Sequence, residues 1–156
     1  MRGRAGIFGA ALLAFGASAL WRNSNANESP QSWVCVGEQA AGFAPDERTH
    51  HWRLTEFAAG KYVVSRVKGD LASQYPWEVR YLGSPESAVL AFCRYDFDQK
   101  IGDTACSSEF GVTFLFNRKS LRFTLISAPA SYINNYGATG TDLLPPKIEI
   151  GKCSAV

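Results

Sequence analysis

The sequence predicts an all-β fold: a small antiparallel barrel or sandwich of about eight strands that two disulfides hold together. Three observations lead to this prediction. Apolar and polar side chains alternate in many short runs, glycines and prolines separate the runs, and the four cysteines form an even set. With 46% hydrophobic and 19% charged residues, the 156-residue chain has a globular composition. Its length allows one core and leaves little room for a second domain.

The predicted strands follow one another through most of the chain. They cover residues 33–36, 62–67, 77–82, 88–95, 104–108, 112–117, 121–126 and 147–153. The alternation is clearest where Val112, Phe114 and Phe116 occupy every second position and a similar run follows. Between these two runs, the polar residues 117–120 predict a hairpin turn.

Three further segments complete the predicted architecture. In the last strand, Ile148 and Ile150 are the apolar positions that alternate with polar ones. Residues 46–55 predict a short helical turn, which is the clearest helical signal after the N-terminus. Residues 131–144 are rich in glycine and polar side chains and predict a long irregular connection.

The N-terminus has the layout of a secretory signal peptide. A short basic start precedes an uncharged run over residues 5–20, which is shorter than the roughly 20 residues that a permanent membrane helix needs. Small residues allow cleavage after Ala19 or Ala26, and the second site leaves the longer polar spacer. We expect a signal peptide over residues 1–26 and one exported β-rich domain over residues 27–156, in the periplasm or secreted.

The basic character of the chain lies in this leader. The whole chain has 16 basic and 14 acidic residues and a net charge of +2. Removing residues 1–26 leaves 13 basic residues against the same 14 acidic ones, a net charge of −1. The mature domain has no run of Lys or Arg, so we expect no nucleic-acid binding. It has no second long apolar stretch, so we expect no membrane span after signal removal.

The four cysteines, Cys35, Cys93, Cys106 and Cys153, are expected to pair, as they usually do in an oxidising compartment. Of three connectivities we favour Cys93–Cys106, which flank a short polar loop, and Cys35–Cys153, which join the two ends of the mature domain. The spacings of 58, 13 and 47 residues contain no close pair of the kind that zinc sites use. We therefore expect structural disulfides and no cofactor.

The sequence offers little for catalysis, and no enzymatic activity is expected. It contains no Gly-x-Ser-x-Gly turn, and paired cysteines leave no thiol nucleophile. Carboxylates and imidazoles come together in sequence at Asp46, His50 and His51, which makes this segment the best candidate for acid–base or metal chemistry. A charged surface turn after Pro45 is the favoured interpretation, because side chains of adjacent residues point apart on a strand or helix.

A second acidic segment resembles part of a calcium loop. Asp96, Asp98 and Asp103 supply carboxylates, but Ile101 stands at the sixth position, where that loop needs glycine. A solvated loop closed by a disulfide is the favoured interpretation.

The most plausible partner contact from the sequence is a loop with tyrosines and asparagines beside glycine. Its residues are Tyr132, Asn134, Asn135 and Tyr136. Tyrosine supplies rigid contact area and asparagine supplies adaptable hydrogen bonds, a combination that binding loops use.

Several aromatic, glycine and cysteine positions of the mature chain carry a resemblance. They are Trp33, Cys35, Gly42, Phe43, Trp52, Phe57, Tyr62, Phe116, Asn117 and residues 121–123 and 148–154. This set resembles a group of small exported bacterial proteins without an assigned activity, and it implies an exported β-rich protein with no catalytic residues to carry over. The opening Trp33-Val34-Cys35 is also similar to that of periplasmic C-type lysozyme inhibitors, which are small exported β-barrels.

These observations predict an exported, non-enzymatic binding module whose partner is a protein or small ligand of the cell envelope. One alternative is an inhibitor of a cell-wall hydrolase. A second alternative is a carrier that holds a small ligand in an apolar barrel cavity. A third is a hydrolase or metalloenzyme that uses His50 and His51.

Overall fold

A computed structural model of the protein describes residues 31–46, 48–49, 51–128 and 145–156. The signal peptide predicted over residues 1–26 lies outside these residues. The strands are β1 (Ser32–Pro45), β2 (Trp52–Glu56), β3 (Lys61–Arg66), β4 (Trp77–Tyr81), β5 (Val89–Cys93), β6 (Asp103–Ser107), β7 (Val112–Asn117), β8 (Arg122–Ser127) and β9 (Lys147–Ala155). Within the described ranges the one helix is a 3-10 turn over Gly69–Ser73.

The nine strands form one antiparallel sheet that closes on itself. Its order is β2-β1-β3-β4-β5-β6-β7-β8-β9, and β1 also pairs with β9, so eight strands form a closed barrel. The first part of the long strand β1 pairs with β3 and its last part pairs with β2, while β9 runs along its other side. The predicted all-β fold with two disulfides is confirmed, and the architecture is a barrel with one extra strand.

The prediction of a helical turn over residues 46–55 is wrong for the second half of that segment. Residues from Trp52 onward form β2, and every side chain of β2 except that of Thr55 is exposed. Trp52 and Leu54 alternate with Arg53 and Thr55, but the run is only five residues long and both apolar side chains are exposed, so the alternation does not mark a buried face. The partner of β2 is the end of β1, which also lies outside the predicted strand over residues 33–36. This part of β1 is made mostly of small residues, so it shows no clear apolar alternation.

Aromatic side chains fill one end of the barrel, which we call the Trp33 end. The ring of Trp33 lies 5.1 Å from that of Trp77, 5.1 Å from Phe97 and 5.3 Å from Phe116, measured between centroids. All four side chains are buried. Burial of each large apolar side chain contributes about 1.5–3 kcal/mol, so this cluster is a main source of stability.

The two disulfides join neighbouring strands inside the barrel, with the predicted connectivity. Cys35 lies opposite Cys153 in the ladder where β1 meets β9, which is the seam that closes the barrel. Cys93 lies opposite Cys106 where β5 and β6 share only two residue pairs. In the loop-closure model the long ring contributes about 5 kcal/mol and the short one about 3 kcal/mol. Cys35–Cys153 thus reinforces the pairing of the two strands that are furthest apart in sequence, and Cys93–Cys106 reinforces the short ladder between β5 and β6.

Candidate functional site

The acidic and histidine segment forms a turn between β1 and β2. Asp46 Oδ1 accepts the backbone N–H groups of Thr49 and Arg48, both at 3.0 Å, and these hydrogen bonds hold the pKa of the Asp46 carboxyl below its usual value. His51 is exposed, and its backbone carbonyl accepts the N–H of Asp46 at 2.9 Å. His50 lies outside the described residues. Among the residues that the structure describes, no group of three or more His, Cys, Asp or Glu side chains could hold a metal ion.

The acids of the calcium-like segment hold their own loop. Asp98 Oδ1 accepts the N–H groups of Ile101 at 2.8 Å and Lys100 at 2.7 Å, and these bonds lower the pKa of Asp98. Asp96 Oδ1 accepts the Trp77 indole N–H and the Phe97 N–H, both at 2.7 Å. The carboxylate oxygens of Asp96 and Asp98 therefore stabilise the connection between β5 and β6.

The predicted contact loop with Tyr132, Asn134, Asn135 and Tyr136 lies outside the described residues. Its role as a partner contact stays a prediction.

The polar group that sequence reasoning missed is a buried carboxylate inside the barrel. Glu149 is fully buried. Its Oε1 accepts the backbone N–H of Gly60 at 2.6 Å, and its Oε2 accepts the Tyr62 hydroxyl at 2.8 Å and lies 3.3 Å from Lys147 Nζ. We call this the Glu149 end of the barrel. A buried charge is tolerated only when partners of this kind surround it.

Burial and the neighbouring Glu149 carboxylate raise the pKa values of two phenols. Burial first, and then the hydrogen bond to Glu149 and its charge, raise the pKa of Tyr62 far above its usual value. Burial and the same charge also raise the pKa of Tyr81. Tyr62 therefore remains a hydrogen-bond donor to Glu149 throughout the physiological pH range.

Two glycines make room for this network, at the point where β1 has a bulge. A side chain at Gly37 would meet Glu149 Oε1, and a side chain at Gly60 would meet the Tyr62 hydroxyl. The N–H of Gly37 donates to the Gly60 carbonyl at 2.8 Å, and the N–H of Phe57 donates to the Ala40 carbonyl at 2.9 Å. The network fixes the connection from β2 to β3 against the barrel wall.

The burial of Glu149 reverses the expected orientation of β9. Glu149 and Cys153 face the interior, whereas Ile148 is 55% exposed and Ile150 is 44% exposed. One signal in the sequence could have shown this: Glu149 lies four residues before Cys153, so both belong to the same face of a strand. The pairing expected for that cysteine requires its face to point inward.

The outward isoleucines of β9 belong to a continuous apolar surface. In the ladder, Ile148 lies opposite Ile126 of β8, while Ile150 lies opposite Thr124, which in turn lies opposite Leu115 of β7. Residues opposite each other in neighbouring strands are in side-chain contact. Phe43 of β1 is a diagonal neighbour of Ile148, because Ala41 lies opposite Ile148. We define the apolar surface as Phe43, Leu115, Ile126, Ile148 and Ile150, of which all but Ile126 are more than 40% exposed.

Charged side chains border the apolar surface on the side of the Trp33 end. Glu38 lies 2.8 Å from the Arg122 guanidinium and 3.0 Å from the Lys152 ammonium. The hydrogen bond from Lys152, with smaller contributions from the charges of Lys152 and Arg122, lowers the pKa of Glu38. These paired charges lie at the edge of the surface and leave its centre uncharged.

An open groove of about 660 Å³ leads away from the apolar surface at Leu115. Its lining includes Tyr95, Asp98, Asp103 and Arg122. The Tyr95 side chain is 78% exposed, so an aromatic ring stands at the side of the groove. The apolar surface, its charged border and this groove form one continuous region of the outer barrel wall.

Comparison of the chain with protein-family models, with curated proteins and with solved structures found no match. The two resemblances noted from the sequence therefore stay predictions. In the part of the chain that the structure describes, no helix is long and apolar enough to span a membrane. The geometry defines a class: a closed, disulfide-linked eight-stranded barrel with an extra strand and an apolar outer surface.

Proposed function

We propose that the protein is an exported, non-enzymatic binding module of the periplasm or the extracellular space, and that it binds a partner protein through the apolar surface. The single observation that carries this proposal is the set of large, exposed apolar side chains on neighbouring strands in the outer wall of a folded barrel. Contiguous exposed apolar patches with a polar border are typical of protein interaction sites.

The contents of the barrel also favour binding on the outer wall. The interior is occupied by both disulfides and by buried aromatic and aliphatic side chains from Trp33 to Leu125. A carrier of the predicted kind needs an apolar cavity in this space. The packing around the Trp33 and Tyr62 rings therefore supports the protein-binding proposal over the carrier alternative.

The chemistry of the surface describes the partner. The surface is a broad sheet face, so the complementary ligand is a folded protein with an apolar contact area. The border carries both signs of charge, with Glu38 between Arg122 and Lys152. A partner that places one acidic and one basic side chain around its apolar contact area matches this border, and such charges guide orientation more than they add affinity.

A cell-wall hydrolase is the partner class that the weaker resemblance suggests. That resemblance rests on Trp33-Val34-Cys35, and the side chains of Trp33 and Cys35 are buried in the barrel. The motif therefore supports a similar fold more than a similar contact. A C-type lysozyme is a direct probe for this alternative, because inhibition of its activity can be measured without knowing the contact residues.

The proposal is tested by capture from envelope extract and culture medium with three baits: the wild type, Ile150→Asp and Leu71→Asp. Leu71 is the matched control, because it is also 44% exposed but lies in the 3-10 turn over Gly69–Ser73. We expect a partner that the wild type and Leu71→Asp retain and that Ile150→Asp loses by about tenfold or more.

Two outcomes would contradict the proposal. A partner retained equally by all three baits would bind elsewhere on the molecule. The absence of any specific partner, together with no inhibition of lysozyme, would count against a binding module of this kind. Thermal unfolding of each bait shows whether it is folded.

A further inference from the structure

Among the described residues, strand β2 leaves one edge of the sheet open. In the described part of the chain β2 pairs with β1 alone, with Phe43 opposite Leu54 and Ala41 opposite Glu56. Closure of the barrel removes the edges of the other eight strands. An exposed strand edge is a template for pairing with another chain.

The backbone of Leu54 points toward this open edge. Phe43 donates its N–H to the Pro146 carbonyl at 2.9 Å, on the side of β1 that faces β9. In an antiparallel ladder the N–H and C=O of one residue point to the same side, so Phe43 and Leu54 form a non-hydrogen-bonded pair. Phe57 confirms this alternation of hydrogen-bonded and non-hydrogen-bonded pairs, because its N–H donates to the Ala40 carbonyl of β1 at 2.9 Å. Odd-numbered residues thus bond to β1, and even-numbered residues point outward.

We propose that β2 pairs antiparallel with β2 of a second copy of this chain, in a two-fold register centred on Leu54. In that register Leu54 lies opposite Leu54 of the second copy and exchanges both backbone hydrogen bonds with it. Glu56 lies opposite Trp52 of the second copy. The Leu54 N–H and C=O, which point away from β1, supply the hydrogen bonds between the copies, so the pairing leaves each β1–β2 ladder intact.

The side chains favour this register over its neighbours. Leu54 is 73% exposed, and the pairing covers it with an identical apolar side chain. Arg53 lies opposite Thr55 of the second copy, so no like charges meet directly. A register centred on Arg53 would place two guanidinium groups opposite each other, and one centred on Thr55 would place Leu54 opposite Glu56. Like charges directly opposite each other destabilise a strand pair.

This pairing does not rest on the proposed function, because it uses the edge of β2 and leaves the isoleucines of β9 exposed. Its failure is therefore distinguishable from failure of partner capture. A strand of a different protein at the same edge is the rival occupant, and the experiments below separate the two.

Single cysteine variants test the register. The four native cysteines are all in disulfides, so Leu54→Cys, Arg53→Cys and Thr55→Cys each introduce one thiol. Under mild oxidation we expect Leu54→Cys to form a covalent dimer at least about tenfold faster than the other two variants, because only this position meets its own copy within disulfide reach. Faster dimer formation by Arg53→Cys or Thr55→Cys would overturn the proposed register.

Light scattering of variants without added thiols tests the dimer itself. We expect the wild type to gain mass toward two chains as its concentration rises. Leu54→Pro should remain monomeric, since it removes an N–H that points to the open edge and not one bonded to β1. The control is Phe110→Lys, which changes an apolar side chain that is 78% exposed in the turn between β6 and β7 and should leave the dimer unchanged.

Two results would overturn the second-copy proposal. A wild-type mass of one chain at every concentration, without preferential cross-linking of Leu54→Cys, excludes self-pairing. A monomeric wild type whose capture of another protein is lost in Leu54→Pro would assign the edge to that protein instead.

Discussion

The two ends of the barrel are closed by different physical means. At the Trp33 end, four aromatic rings fill the interior, and the Arg66 guanidinium lies 4.0 Å from the Trp77 ring centroid on the outside of this cluster. At the Glu149 end, one carboxylate bonds to a backbone N–H, a phenol and an ammonium group. Burial is non-directional, whereas hydrogen bonds require particular atoms in particular places. The first end should tolerate changes of shape that conserve volume, and the second should not tolerate even isosteric changes.

The largest expected effect is at the Trp33 end. Trp33→Ala should lower the free energy of unfolding by about 3–5 kcal/mol, because it leaves a cavity among the surrounding rings. Trp33→Phe should cost less, since it removes less volume and keeps an aromatic ring in contact with Trp77 and Phe97. Urea unfolding of both variants measures the difference. Equal losses would show that this end also depends on specific geometry.

The isosteric change at the Glu149 end is the sharpest contrast. Glu149→Gln keeps the volume, but its amide nitrogen can neither accept the Tyr62 proton nor pair with Lys147. We expect a loss of about 1–3 kcal/mol from the groups left without a partner. Urea unfolding is again the measurement, with Glu78→Gln, a partly buried acid on β4, as the control. A Glu149→Gln variant as stable as the wild type would remove the distinction between the two ends.

The glycine that makes room for Glu149 gives a steric test of the same network. Gly37→Ala places a methyl group against Glu149 Oε1 and should cost about 1–3 kcal/mol, because the surrounding backbone is fixed by hydrogen bonds. Gly69→Ala is the comparison, since its φ of +72° is unfavourable for alanine but its surroundings are open. That strain costs about 1–2 kcal/mol. Proton shifts of the Gly60 amide would show displacement of the carboxylate in Gly37→Ala alone.

The smallest expected effect is a loss of stability in alkaline solution. The pKa of Tyr62 is raised in the folded state, so its contribution is complete below the ordinary tyrosine pKa of 10.0 and declines as the pH rises above it. The unfolded chain releases the proton and the folded chain retains it, which lowers stability by about 1 kcal/mol for each pH unit above that value. Tyr62→Phe should have a smaller slope than the wild type between pH 10 and 11.

The sequence predicted the features of the fold that repeat along the chain. Alternation in the run from Val112 to Phe116 placed β7, and the even cysteine set led to both disulfides. The alternation is a local pattern, and the favoured cysteine pairing follows from a short loop and from the two ends of the domain. A single sequence is therefore enough to predict both. The choice of a barrel over a sandwich depends on the pairing of β1 with β9, which no local pattern reports.

The candidate site was mostly beyond prediction, because its apolar residues look like core residues. Ile148 and Ile150 have the pattern of a buried face, and Glu149 has the pattern of a solvated one, yet their burial is the reverse. The reversal requires the glycine bulge of β1 and the Gly60 N–H, which come from distant parts of the chain. Glu149 lies on the same face of β9 as Cys153, whose predicted disulfide requires that face to point inward. A polar residue on the face of a disulfide-bonded cysteine is thus the sequence signal that the apolar face of a strand points outward.

The most direct test of the binding proposal is calorimetric titration of the captured partner against the wild type, Ile150→Asp and Leu71→Asp over a range of temperatures. Burial of apolar surface gives a negative heat capacity change on binding. The account predicts a clearly negative value for the wild type and Leu71→Asp, together with an affinity for Ile150→Asp about tenfold lower or weaker still. Equal affinities for all three proteins and a heat capacity change near zero would contradict a partner site on the apolar surface.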